Sequence, residues 1–157
     1  SILSKVVDTS KTALLLEPGS AIIGSVVDFH TSVLDCKDTD HARIVTTDGS
    51  RIHIDPLWSK SGYSYTLCTK NSKANIVSPR QIICGYTCMD HDRLMVLENQ
   101  PELSPGDEII YHRIGAYSMT FGGMFIRYYP EVYVQENGLI KMVRSRISPE
   151  NYLEINS

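Results

Sequence analysis

Short runs rich in β-branched and aromatic residues alternate along most of this chain with clusters of turn-forming residues. That is the pattern of a domain built mainly from strands. Thr31–Cys36, Arg43–Thr47, Tyr63–Cys68, Gln81–Cys84, Arg93–Leu97 and Glu108–His112 are each predicted to be strands. The residues predicted to separate them are Asp48-Gly49-Ser50, Asn71-Ser72, Pro101 and Ser104-Pro105-Gly106. Asn137-Gly138, set between Val132-Tyr133-Val134 and Leu139–Val143, predicts a hairpin, because both residues accept the positive φ of a tight turn. Ser148-Pro149-Glu150 predicts a closing helical turn with proline at its first position.

Before Phe29 the pattern differs. Ile2-Leu3 and Val6-Val7 give the apolar stripe of a helix ending near Ser10. Thr12–Leu16 is apolar without alternation, which predicts a strand covered on both faces. It ends at Glu17-Pro18-Gly19, and Ser20 is the predicted N-cap of a helix from Ala21 to about Val26. Strand, turn and helix in that order make the repeat unit of an α/β barrel, whose functional residues sit where strand meets helix. Glu17 occupies that point. The chain is thus expected to hold the last strand–helix unit of an α/β barrel in residues 1–29 and a β-barrel domain in residues 30–157, and so to be a fragment. No internal repeat or low-complexity segment interrupts it.

Composition narrows the function classes. A chain of 157 residues has room for a real core, and 21% charged residues is ordinary for a globular domain. A net charge of −3 argues against a nucleic-acid or anionic-membrane surface, which needs clustered Lys and Arg. No apolar run approaches the roughly 20 residues of a membrane helix. No signal-peptide pattern opens the chain, so a cytoplasmic setting is expected. The cysteines, Cys36, Cys68, Cys84 and Cys88, do not have the spacing of a metal or redox pair. Cys36, Cys68 and Cys84 lie in strand-like runs and read as small buried hydrophobes. Cys88 lies in the polar stretch Gly85–Asp92, where a thiol can be reached. Asp90-His91-Asp92 are adjacent on one loop and lack a distant third ligand, so no metal site is expected. The remaining feature is Gly115-Ala116-Tyr117 after the strand Glu108–His112. Small residues before a tyrosine leave a rigid phenol with a polar tip on a narrow platform, suited to a ligand oxygen or to a half-buried strand end.

Three segments in fixed order, Glu17-Pro18-Gly19, Gly85–Asp92 with Cys88, and Gly106-Asp107 through Gly115-Ala116-Tyr117, resemble the C-terminal portion of the pyridoxal-phosphate-dependent basic amino acid decarboxylases. This is the family of diaminopimelate and ornithine decarboxylases. The resemblance runs from about Leu14 to Val134 and includes Phe125, eight residues after Tyr117 as in the family.

The resemblance implies an α-decarboxylase acting on an amino acid, with pyridoxal phosphate as cofactor and a homodimer with shared active sites as the working unit. It assigns Glu17 to the pyridinium nitrogen, and Gly19 and Tyr117 to the cofactor phosphate. It makes Cys88 a proton donor that reaches across the dimer interface. Met89, Asp92 and Phe125 fall at substrate-facing positions, with a turn role also open for Asp92. Arg51 or His53 falls near residues that meet a substrate carboxylate, an exposed hairpin turn being the alternative. The cofactor-binding lysine belongs to earlier barrel strands, so the fragment alone is expected to be inactive. Two positions depart from the family: Ser20 where arginine is usual, and Met89 where an acid usually meets the distal ammonium of the substrate. They imply a non-standard or conjugated amino acid substrate, substitution of Asp90 or Asp92 for the missing acid after a loop shift, or a non-catalytic paralogue that acts through protein association.

Overall fold

The computed structural model describes residues 5–8, 10–70 and 76–157. Six strands carry the fold: β1 (Phe29–Asp38), β2 (Arg43–Thr47), β3 (Ser64–Cys68), β4 (Val77–Cys84), β5 (Arg93–Pro101) and β6 (Glu108–His112). They form one sheet in the order β3-β6-β1-β2-β4-β5. β1, β2 and β6 bury alternate residues, as a strand with one covered face does. Val33 of β1, Val45 of β2, Ile83 of β4, Leu97 of β5, and Ile109 and Tyr111 of β6 meet in one core. The sheet curls into a half-barrel, and residues of β3 and β5, its two edges, line a common cleft of about 380 Å³.

The expected mainly β architecture is present, with corrections. The sheet is open at β3 and β5, and β2 pairs with β4 in parallel while every other pair is antiparallel. The parallel pair arises from the route the chain takes after β2. Asp48-Gly49-Ser50 is not a hairpin turn but leads into a short helix, α2 (Arg51–Ile54), with the Ser50 side chain accepting from the Ile52 amide at 3.4 Å. The chain then crosses through β3 before returning beside β2, and only a crossover permits parallel pairing. Pro101 ends β5 rather than breaking the chain before it.

Two buried polar residues close the loop between β5 and β6. Gln81, fully buried, donates to the Pro101 carbonyl and accepts from the Leu103 amide, each at 2.9 Å. Asp107 accepts from the amides of Lys70 and Ser104, each at 2.8 Å. Burial is tolerable for both because their partners replace water.

The segment before β1 departs most from expectation. Thr12–Leu16 is not a strand, and Leu14, Leu15 and Leu16 are 59%, 89% and 74% exposed. A two-sided strand exists only through flanking strands, and none of the described strands lies beside it. A short helix comes next, α1 (Ser20–Ile23), continued by a tighter turn over Gly24–Val26. Its N-cap is Gly19, so Ser20 is the first helical residue and not the cap, and no side chain among the described residues caps the helix. The predicted helix over residues 1–10 and the Asn71-Ser72 turn fall largely or wholly outside the described residues.

The chain is pinned where it enters the sheet. Ile114 donates its amide to the Val27 carbonyl at 3.0 Å, and the Asp28 carboxylate binds His112 Nδ1 at 2.9 Å and the Arg113 amide at 3.2 Å. After β6 come α3 (Gly115–Phe121), the hairpin β7 (Val132–Glu136) and β8 (Leu139–Arg144), and α4 (Pro149–Asn156). The hairpin turns on Asn137 and Gly138, with φ of 50° and 78°, as the sequence predicts. No described helix is long and apolar enough to cross a membrane.

Candidate active site

Gly115-Ala116-Tyr117 is an interrupted helix start rather than a strand end. Ala116 is extended (φ −72°, ψ 118°) and Tyr117 is left-handed (φ 65°, ψ −20°). This break turns the Tyr117 side chain away from the core, and it is 53% exposed. A side-chain carbon on Gly115 would collide with the Ile23 carbonyl oxygen, so only glycine lets the backbone of α3 meet that of α1. The contact sets the two turns face to face. A Cβ built on Gly19 would lie 3.9 Å from the Tyr117 hydroxyl oxygen. Residues ninety-eight positions apart in sequence thus bound one small space. Glu17 is exposed two residues upstream and forms no ion pair among the described residues. Phe125 is 44% exposed and bridges to Arg127 in the connection after α3.

Cys88 and Met89 lie on the loop between β4 and β5. Cys88 is exposed and Met89 is half-buried. Asp92, which closes this loop, is only 3% exposed. Its carboxylate accepts from Ser50 Oγ at 2.9 Å, the Arg51 amide at 2.7 Å, the Thr87 amide at 3.1 Å and Thr87 Oγ1 at 2.6 Å. Four donors converge on it, and the carboxylate is turned into the protein, an arrangement that suits the turn role. The backbone repeats the closure: Gly85 donates to the Asp92 carbonyl at 2.8 Å, and Asp92 donates to the Met89 carbonyl at 2.9 Å. Among the described residues, no hydrogen bond joins this loop to the Gly19–Tyr117 pair.

Arg51 lines the cleft between β3 and β5 and is also engaged within the fold, while His53 is buried. The Arg51 guanidinium donates to Asp55 at 3.0 Å and to the Lys60 carbonyl at 2.8 Å, and lies 5.0 Å from the Trp58 ring centre. Asp55 is 2% exposed, yet its carboxyl is held below its ordinary range. Burial pushes it up, but the Lys60 amide, the Arg51 guanidinium and the Ser59 amide together outweigh that. His53 is buried between the rings of Phe29 and Tyr86, and neither ring nitrogen has a partner among the described residues. Burial drives its pKa down to about 4, with the Asp92 charge opposing the shift and Arg127 and Arg146 adding to it. It is a neutral core residue.

Sequence reasoning missed Ser50, Thr87 and Trp58. Ser50 before an apolar stretch is an available N-cap signal, but nothing local signals its bond to a carboxylate forty-two residues away. Trp58 is held at a positive φ of 56°, with its ring edge-on to His91 at 6.3 Å. Together with Arg51 it ties α2 to the Cys88 loop. Among the described residues, no group of three His, Cys, Asp or Glu side chains converges as a metal site.

No family model matches the chain. In sequence it is 26% identical over 113 residues to the diaminopimelate decarboxylase of Helicobacter pylori strain 26695, covering 71% of this chain and 27% of that protein. In structure it matches diaminopimelate decarboxylase from M. jannaschii with a TM-score of 0.77 at 15% identity, over 99% of this chain and 36% of that one. This is the fold of a decarboxylase C-terminal domain. The H. pylori enzyme complexed with L-lysine matches with a TM-score of 0.72 at 24% identity, over 89% of this chain and 34% of that one. The resemblance carried by Glu17-Pro18-Gly19, the Cys88 loop and Gly115-Ala116-Tyr117 therefore stands, at partial coverage. The chain spans about a quarter of the length of the curated relatives it matches, 27% of each.

Proposed function

We propose that this chain is the C-terminal part of a pyridoxal-phosphate-dependent amino acid α-decarboxylase of the diaminopimelate decarboxylase kind. Residues 1–29 end its α/β barrel and residues 30–157 form its second domain. The observation that carries this reading is the Tyr117 hydroxyl facing Gly19 across a space that a side chain on Gly19 would narrow. A left-handed tyrosine and a glycine turn, brought together by a backbone contact that tolerates no side chain at Gly115, make a hydrogen-bonding cradle for an anionic group. These residues fit the phosphate of pyridoxal phosphate: Tyr117 donates its hydroxyl, and Gly19 offers its amide and leaves room. Glu17, beside them and exposed, is the carboxylate that would keep the pyridinium nitrogen protonated.

The cofactor, when bound, supplies the electron sink that carbon dioxide loss requires. The chain's own residues hold and orient. Cys88, exposed at the tip of a tied loop, would supply a proton in a partner subunit's site within a homodimer. Met89 and Phe125 would face the substrate. Met89 offers no charge to a distal ammonium, so the preferred amino acid has a distal end that is neutral, acidic or part of a conjugate. The lysine that binds the cofactor would come from the barrel, and the chain by itself would not turn over substrate.

The test is cofactor binding and carbon dioxide release by the full-length protein, wild type against Tyr117→Phe. Saturable binding of pyridoxal phosphate that Tyr117→Phe weakens, with decarboxylation of an amino acid, supports the reading. Wild-type binding without decarboxylation of any substrate in a broad panel favours the paralogue. Equal cofactor affinity in both proteins removes Tyr117 from the site.

A further inference from the structure

Asp92 connects two loops that the sequence keeps far apart. One is the turn from β2 into α2, where Ser50 Oγ and the Arg51 amide donate to its carboxylate at 2.9 and 2.7 Å. The other is the loop between β4 and β5, where Thr87 donates to it from its hydroxyl at 2.6 Å and its amide at 3.1 Å. Thr87 is the residue before Cys88. Tyr86 adds a backbone bond between the same loops, its amide donating to the Gly49 carbonyl at 3.1 Å. Gly85 packs so closely on the Asp92 carboxylate that a side chain there would overlap it. The thiol is exposed, but the backbone on its N-terminal side is fastened to a buried charge.

We propose that Asp92 is a positioning residue for Cys88. Its carboxylate gathers the two loops and so fixes where the thiol stands relative to α2. This rests on the reading of Cys88 as the proton donor. A donor on an exposed loop transfers a proton reproducibly only if the loop holds one geometry. Neutral asparagine at 92 keeps the size but replaces one acceptor oxygen with a donor. It would then face the Arg51 and Thr87 amides with a single acceptor, and bonds to a charged group are the stronger kind. Valine at 87 keeps the β-branched shape and removes only the hydroxyl.

The experiment is alkylation by iodoacetamide in the full-length protein, read at each cysteine by peptide mass. Asp92→Asn and Thr87→Val should raise the Cys88 rate about tenfold, while Cys36, Cys68 and Cys84 keep their wild-type rates and so exclude general unfolding. Thr87→Ser, which restores the hydroxyl, should return the Cys88 rate to wild type. In decarboxylation, Asp92→Asn should shift the product ratio in the same direction as Cys88→Ala, and the double variant should be no worse than Cys88→Ala alone, whereas a merely structural loss would add to it. An unchanged Cys88 rate in Thr87→Val, or full additivity in the double variant, overturns the proposal. Absence of decarboxylation in the wild type overturns the functional reading instead, and the alkylation rates still decide whether Asp92 sets the thiol. If Asp92→Asn fails to fold, the Thr87 pair decides alone.

Discussion

The Tyr117 hydroxyl lies 3.9 Å from the point a Cβ would occupy on Gly19. That is ordinary van der Waals separation, so alanine at 19 fits the fold but intrudes on the space the hydroxyl faces. Gly19→Ala is therefore expected to lower the melting temperature only slightly, alanine being a poorer N-cap than glycine, and to weaken binding of pyridoxal phosphate by the full-length protein. Tyr117→Phe would remove the proposed hydrogen bond to the phosphate, worth about 1.5–3 kcal/mol for a charged partner, and should weaken binding roughly tenfold to a hundredfold. Titration followed by absorbance of the cofactor measures both. Unaltered affinity in the two variants would place the phosphate elsewhere.

Gly115 differs from Gly19 because its neighbour is backbone. The Ile23 carbonyl stands where its Cβ would go, and it cannot rotate aside. Gly115→Ala should force α1 and α3 apart at a cost of about 1–3 kcal/mol. Thermal and urea unfolding would show this directly, and cofactor binding should fall with it, since the same contact brings Gly19 to Tyr117.

His53 gives the fold a dependence on pH. Its folded pKa, about 4, is below its ordinary value of 6.5, because burial disfavours the charged ring. The unfolded chain then takes up a proton first as pH falls. The stability contributed by neutral His53 is present above about pH 6.5 and is lost progressively down to about pH 4, up to about 3 kcal/mol in all. Asp55, whose folded carboxyl is held low, adds its own loss only below the ordinary carboxylate value of 3.8. Urea unfolding at pH 7.5 and pH 5 should reveal the first effect. His53→Phe should flatten the slope between them, and an equal slope in both proteins would remove His53 as its source.

Strands with one covered face were legible because their alternation is local. Arg43–Thr47 and Glu108–His112 fall where the sequence predicts them, and Asn137-Gly138 turns the hairpin by its own backbone preference. Thr12–Leu16 is not a strand because an apolar run without alternation needs flanking strands on both sides, and none of the described strands lies beside it. Asp48-Gly49-Ser50 has hairpin composition, yet the chain after β2 enters α2, where Ser50 bonds to Asp92, forty-two residues away. The site divides the same way. Residue types at Tyr117 and Cys88 were readable, but the approach of Tyr117 to Gly19 depends on packing at Gly115, and the inward turn of Asp92 on donors from two loops.

Cys88 is exposed and its side chain carries no hydrogen bond among the described residues, so Cys88→Ala should unfold at the wild-type temperature. Cofactor affinity should also be unchanged. The expected loss is in the fate of the substrate carbon after carbon dioxide leaves, with slower product formation and a larger share of decarboxylation-dependent transamination. Wild-type rates and product ratio would make the thiol a bystander.

Met89 is the position where the substrate itself is at issue. The side chain is half-buried on the Cys88 loop, and the nearby acid, Asp92, has its carboxylate turned inward onto Ser50, Arg51 and Thr87. In this arrangement its oxygens are taken up inside the protein. Asp90 is exposed on the same loop and is the remaining acid within reach in sequence. A distal ammonium desolvated against Met89 without a counter-charge costs several kcal/mol after relaxation. The full-length enzyme should therefore prefer amino acids whose distal end is neutral, acidic or conjugated. Met89→Glu should shift preference toward diaminopimelate or lysine by about 2 kcal/mol, roughly thirtyfold in kcat/KM, because opposite charges in a partly desolvated site attract. Comparing kcat/KM across free and conjugated amino acids in both proteins measures the shift. A strong wild-type preference for lysine or ornithine would contradict the expectation and direct attention to Asp90, with Asp90→Asn as the variant that should then abolish it.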